Sequence, residues 1–329
     1  MDLDYYLPIV FMGLLGFALT AYVLLDGFDI GVGMLLPRAT AEEQNLMVDS
    51  IGPFWDANET WIVLGVGVLF IVFPKANGLI LGELYIPVTL MLLCLMIRGA
   101  AYEFRTKAAN RGAWNWAFIL GSFGMALTQG YMLGRYITAF EESLLAYLFS
   151  FGIMLSVPAV YVLLATCWLL AKVDGELQEK VMGWANLAWW PVCICLLLIS
   201  LATPLVSAMV YERWFTSHLV EYLWPIPLIT VICLLQAKQL LRKPQTLTEK
   251  TWHPFIYVVM SLVFCAVGLG ISLFPYVVIK VLTVWEAAAS TEALVVTLIG
   301  VAITVPVIIA YSIFAFWVFR GKTKRLNYI

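Results

Sequence analysis

Polar positions along this chain are sparse and grouped. Between the groups lie apolar runs long enough to cross a bilayer, which takes about 20 helical residues. The runs fall at about 6–35, 57–74, 78–98, 113–133, 144–171, 183–210, 222–241, 254–279 and 293–319. This pattern predicts an all-α integral membrane protein with about nine transmembrane helices. The short link Lys75-Ala76-Asn77 leaves a second option, a kink within one hairpin. The connections are short, with no internal repeat and no low-complexity tract, so residues 1–329 read as a single polytopic membrane domain.

Composition supports the same class. The chain is 63% hydrophobic and 12% charged, with a mean hydropathy of +0.93. A soluble domain of this length has no interior large enough for so much apolar side chain. A net charge of −2, without a basic patch interleaved with aromatics, argues against nucleic-acid binding. The six cysteines all lie within apolar segments and none has CxxC spacing, so they read as small hydrophobes. The N-terminal MDLDYYLP carries acids where a signal peptide would have a basic region, so the first apolar run is expected to be kept as a helix.

The cations set an orientation. With the N-terminus outside and nine spans, 15 of the 19 Lys and Arg residues fall on the cytoplasmic side, leaving Lys75, Arg135, Arg213 and Lys280 outside. That is a strong positive-inside bias. It predicts a cytoplasmic C-terminus, including Lys324 and Arg325.

Ionisable residues at membrane depth are expensive and therefore informative. Helix 1 carries Asp26 and Asp29 within VLLDGFDIGVGMLL (23–36). From Tyr6, Asp26 is about 30 Å along the helix, near the inner boundary, and the i, i+3 spacing places both acids on one face. Helix 2 opens with PFWDANETW (53–61), in which Pro53 suits a first turn. Asp56 and Asn58 are candidates to satisfy its free amides, and Asp56 and Glu59 share a face. The inner end of helix 3 carries RGAAYEFRTK (98–107), with Arg98, Glu103 and Arg105. Three consecutive helices thus bring Asp26, Asp29, Asp56, Glu59 and Arg98 to a similar depth. Two compatible readings stand: a structural ion pair with Arg98 that braces helices 1 to 3, and a path for protons or cations from the cytoplasm.

Other polar residues carry less. Glu83, just before Pro87, reads as an interfacial acid. Gln129, Glu212 and Glu221 have no motif around them. The two histidines, His218 and His253, read as interfacial, so no imidazole is placed mid-membrane to ligate a haem or zinc. No phosphate-binding loop, GxSxG or dinucleotide fingerprint is present, so a stand-alone enzyme is not expected.

The segments LLDGFDIGVGML around Asp26 and Asp29, SIGPFWDANETWIVLG (50–65) and IRGAAYEFRTKA (97–108) form an ordered signature. On these the chain resembles subunit II of the cytochrome bd-type quinol oxidases, including the cyanide-insensitive branch. The resemblance implies two four-helix bundles plus a peripheral helix. It also implies a heterodimer with a haem-bearing subunit I, a small single-helix accessory subunit and surrounding lipids in a bacterial inner membrane. Such a complex oxidises quinol near the outer face and reduces dioxygen to water with protons from the cytoplasm. Heme b and heme d are ligated by subunit I, which also takes the quinol, and this chain ligates neither haem nor metal. Carried over by motif, Asp56 matches an acid of a proton path at the subunit interface, joined by Asp26, Asp29 and Glu59. Arg98 matches the charge-compensating arginine, with Glu103, Arg105, Trp55, Asn58 and Trp61 as structural neighbours. Some members have a histidine where this chain has Phe54, and no role of that imidazole transfers. The competing classes are an ion-coupled secondary transporter, disfavoured by the odd helix number and the lack of paired broken helices, and a pure assembly scaffold.

Overall fold

A computed structural model describes residues 3–108, 111–216, 220–243, 246 and 248–323. The expectations for His218, Lys324 and Arg325 lie outside these residues. The chain is built almost wholly of helices: α1 (Leu3–Leu35), α2 (Ala41–Ile51), α3 (Trp55–Val72), α4 (Pro74–Glu83), α5 (Tyr85–Lys107), α6 (Gly112–Ile137), α7 (Leu144–Lys172), α8 (Gly175–Val206), α9 (Ala208–Phe215), α10 (Val220–Leu223), α11 (Pro225–Leu241), α12 (His253–Leu273), α13 (Val284–Ala287) and α14 (Thr291–Val318). A two-stranded antiparallel hairpin, β1 (Tyr276–Val278) with β2 (Leu282–Thr283), lies between α12 and α13. Seven of the helices in the described residues are long and apolar enough to cross a membrane. The other two expected spans are also helical: α11 is short, and α6 is diluted by glycine, Asn115, Thr128 and Gln129.

Local chemistry sets several boundaries. Thr40 caps α2 in a reciprocal box with Glu43. The Lys180 ammonium and the Thr40 amide both bond the Glu43 carboxylate and hold it below the usual glutamate range. Ser143 and Ser290 cap α7 and α14. The expected run 78–98 is broken at Leu84, so Glu83 ends a short helix instead of lying inside a span. The first turn of α3 has no side-chain cap at all. The amide-capping roles expected of Asp56 and Asn58 are therefore not taken up, because Asn58 is drawn to α1 instead.

α1 is the hub. It packs on α3, α6 and α7, while α6 lies between α5 and α7. α8 and α12 pack on α7, and α11 lies against α12 and α8, so α7 serves both bundles; α14 lies against α1 and α3. The α1–α7 crossing is very close. A Cβ on Gly31 would sit 2.0 Å from the Tyr161 carbonyl oxygen, and at the α6–α7 crossing one on Gly134 would sit 2.4 Å from the Cα of Ser150. Only glycine permits such approaches between membrane helices.

At the end of the molecule that holds Asp26, the chain after α14 is pinned down. Lys172, 2% exposed, lies 4.9, 5.1 and 5.5 Å from the ring centroids of Trp168, Phe54 and Trp252. It donates to the carbonyls of Phe319 and Gly321. Lys322 pairs with Asp174 at 3.0 Å and donates to the Val173 carbonyl, and the Thr323 amide bonds the Lys172 carbonyl. Aromatic faces and carbonyls replace a carboxylate as the counter-charge of Lys172. The variant Lys172→Met should release this segment. Trypsin should cleave after Arg320 and Lys322 about tenfold faster in the purified protein, the ratio expected from losing about 1.4 kcal/mol of cation–π and carbonyl contacts. Unchanged cleavage would show that the cage does not hold the segment.

Candidate functional site: a buried carboxylate–arginine cluster

Three helices that are distant in sequence deliver the site. α1 brings Asp26 and Asp29, α3 brings Asn58 and Glu59, and α5 brings Arg98. Arg98 Nη2 donates to Asp26 Oδ1 and to Glu59 Oε1, each at 2.5 Å. Asn58 Nδ2 donates to Asp29 Oδ2 at 2.8 Å and to the Leu25 carbonyl at 3.2 Å. Asp26 and Asp29 are 0% and 1% exposed and Arg98 is 2% exposed, whereas the Glu59 side chain keeps 21%. Charges so deep are tolerated only when paired.

Asp56 is placed differently. It lies one turn before Glu59 and is exposed on the surface of α3. The carboxylates therefore form a graded series from exposed Asp56, through half-buried Glu59, to the sealed Arg98 and Asp26. Trp55, whose ring lies 4.9 Å from Tyr102, lines a narrow crevice with Asp29, Arg98, Ile51, Tyr102 and Phe118, too tight for a water molecule. Trp61 is buried and packs edge-on against Phe17 at 5.4 Å.

Arg105 does not join the acids. It donates to Asn115 Oδ1 at 2.5 Å and Asn45 Oδ1 at 2.7 Å, and so ties α2 to the α5–α6 junction. These contacts brace that end of the bundle. Glu103 is exposed and stands outside the cluster. Phe54 is 1% exposed and packs on Trp168, Phe316 and Phe319 at 5.3, 4.8 and 6.0 Å. An apolar ring cluster thus surrounds Phe54.

Sequence reasoning passed over one group. Gln129 on α6 bridges two tyrosines: its Nε2 donates to Tyr22 Oη at 2.9 Å, and Tyr161 Oη donates to its Oε1 at 2.5 Å. The signal was available, since an amide in the middle of an apolar helix must find partners. Among the described residues no group of three or more His, Cys, Asp or Glu is arranged to hold a metal ion.

The comparisons with known proteins agree across the whole chain. It is 26% identical to cytochrome bd-I ubiquinol oxidase subunit 2 of Escherichia coli K12, with 95% of this chain and 94% of that protein aligned. It is 27% identical to cytochrome bd ubiquinol oxidase subunit 2 of Bacillus subtilis, covering 92% of this chain and 93% of the relative. In fold it matches a chain of the bd oxidase structure from Geobacillus thermodenitrificans with a TM-score of 0.71 and 20% identity, over 95% of this chain and 99% of that one. The profile of cytochrome bd terminal oxidase subunit II matches residues 7–319, and with three helices meeting at one buried arginine, this chain belongs to that family.

Proposed function

We propose that this subunit supplies the proton-side element of a quinol:oxygen oxidoreductase, carrying protons from the cytoplasm toward the haem-bearing subunit I and holding that subunit in place. The observation that carries this reading is the graded burial of Asp56, Glu59 and the Arg98–Asp26 pair. Asp26, Asp29 and Glu59 face one guanidinium, so with all three ionised the cluster would hold two negative charges in excess. Taking up protons relieves that excess. Asp56, outside the bundle, is where a proton arriving from water or leaving for a neighbouring subunit would meet the series.

The cation asymmetry of the sequence sets the orientation, with the cluster at the cytoplasmic face of the inner membrane, the N-terminus outside and the C-terminus inside. Taking protons from the cytoplasm while quinol releases them outside makes a membrane potential without a pump. The cluster does not fit haem ligation: it consists of carboxylates, a guanidinium and an amide, and His253 stands exposed at the start of α12. In this reading heme b, heme d and the quinol are assigned to subunit I, as the resemblance implies, with the isolated chain inactive. A small single-helix subunit would complete the complex among the lipids.

The test is Asp56→Asn in the intact complex, measuring oxygen consumption with quinol alongside the haem absorption spectrum. Turnover should fall about tenfold or more, as expected on removing a positioned proton carrier, with the spectrum unchanged. Normal turnover with an intact spectrum would sink the relay. Loss of haem absorption from an assembled complex would make Asp56 structural.

A further inference from the structure

The two aspartates of the DGFD segment share a helix face, yet their surroundings differ in kind. Asp26 is gripped by Arg98, and its second oxygen, Oδ2, is buried outside any regular hydrogen bond. Tyr22, one turn earlier on the same face of α1, interacts with the Asp26 carboxylate. Behind Tyr22 the hydrogen bonds run one way. Tyr161 must donate to Gln129, because an amide oxygen carries no hydrogen. Gln129 then donates through its nitrogen to the Tyr22 oxygen, which leaves the Tyr22 hydroxyl hydrogen free to point at Asp26. Such a string polarises toward its anionic end. It is not a proton wire, because passing a proton through Gln129 would require its amide to tautomerise.

Asp29 has none of this. Among the described residues it forms no ion pair. Its Oδ2 accepts from Asn58 and its Oδ1 is buried without a partner, at the wall of the crevice shared with Arg98. With one oxygen accepting from an amide and no cation bonded to either, Asp29 has a free oxygen on which it can hold a proton. Burial without a direct ion pair makes that the less costly form. The groups that face Asp26 are Arg98 from α5, Glu59 from α3, Tyr161 from α7, and Tyr22 and Asp29 from its own helix.

We infer that the Tyr161–Gln129–Tyr22 string is a positioning element that fixes Asp26 as the standing counter-anion of Arg98, and so makes Asp29 the carboxyl of the pair that carries the exchangeable proton. This rests on the proton-side reading and divides the labour within it. One aspartate holds the fold's charge balance and the other holds the cargo.

Hydrogen–deuterium infrared difference spectra of the complex purified with its haem-bearing partner test this directly, with haem content reporting assembly. The unaltered complex should show a protonated-carboxyl band that Asp29→Asn removes and Asp26→Asn retains. Tyr22→Phe and Gln129→Leu, which shorten or cut the string, should each add a second carboxyl band. Loss of the band in Asp26→Asn with retention in Asp29→Asn would overturn the assignment, as would an unchanged spectrum in Tyr22→Phe. Should Asp26→Asn fail to assemble, Tyr22→Phe removes only one hydroxyl and still decides the matter. Oxygen consumption recorded on the same samples separates the two levels. An Asp29→Asn complex that lacks the band but respires normally would end the proton-path reading and leave the charge assignment standing.

Discussion

Replacing Arg98 with methionine should strip the subunit of its assembled form. The change strands Asp26 and Glu59, both of which use the same guanidinium nitrogen, in a site where neither can reach another cation among the ion pairs of the described residues. Breaking a buried pair from one side costs about 3–5 kcal/mol, a large share of what holds a domain together. The amount of the complex in membranes and its melting temperature measure this. Arg98→Lys should recover only part, because the more strongly hydrated ammonium on a shorter stem would have to reach both carboxylates in a buried site. Combining Arg98→Met with Asp26→Asn should cost less than the sum of the two single changes, since the second change removes a charge that the first had orphaned. Strict additivity would mean that Arg98 and Asp26 are not coupled.

Gly31→Ala should be the second severe lesion, from one methyl group. In an open helix this exchange stabilises by up to about 1 kcal/mol. At Gly31 the added carbon would meet the Tyr161 carbonyl at 2.0 Å and the Ala165 methyl at 2.6 Å. Neither can swing away as a flexible side chain could, so α1 and α7 must part. Overpacking of this kind costs about 1–3 kcal/mol or more, and the shift would carry Asp26 and Asp29 away from their partners. Gly67→Ala on α3, which meets nothing within 4 Å, serves as the control. The two variants should move the melting temperature of the complex in opposite directions. Equal melting would mean that the α1–α7 contact is looser than described.

Which of these features the sequence foretold follows from the range of the interactions involved. The acid–arginine cluster was foretold because its pieces are periodic within single helices, and because charge in a long apolar run has few explanations. The partition inside it was not. Asn58 reads as a cap from its position in the first turn, and only the approach of α1 offers it Asp29 instead. Arg105 carries the same charge as Arg98 just under two turns later, but it faces Asn45 and Asn115 because α2 folds over that end. Gln129 looked idle because both of its partners, Tyr22 and Tyr161, are 107 and 32 positions away. The Lys172 cage draws rings from the residue before α3, from α7 and from the residue before α12, a convergence that no local pattern announces. Nor does the hydrophobic pattern mark the break at Leu84, since both sides of it are equally apolar.

The first and last helices, α1 and α14, meet in the finished protein. Near the hairpin, Asp4 bonds Thr291 and Tyr5 stacks on Trp285 at 5.3 Å. At the opposite face Phe28 meets Phe316 at 6.5 Å. Asp4 and Thr291 are separated by 287 positions, which at about 5–20 residues per second is ~15–60 s of synthesis. Asp26 must likewise wait 72 residues for Arg98, or ~4–14 s by the same rate. The first helix thus enters the bilayer with its acids unmatched, and the aromatic cluster around Phe54 and Trp168 stays unsealed until the last helix leaves the ribosome. A product cut short before α14 already has Arg98 for its acids but leaves the ring cluster and Asp4 uncovered, so an unfinished chain is chemically distinct from a finished one before any partner arrives.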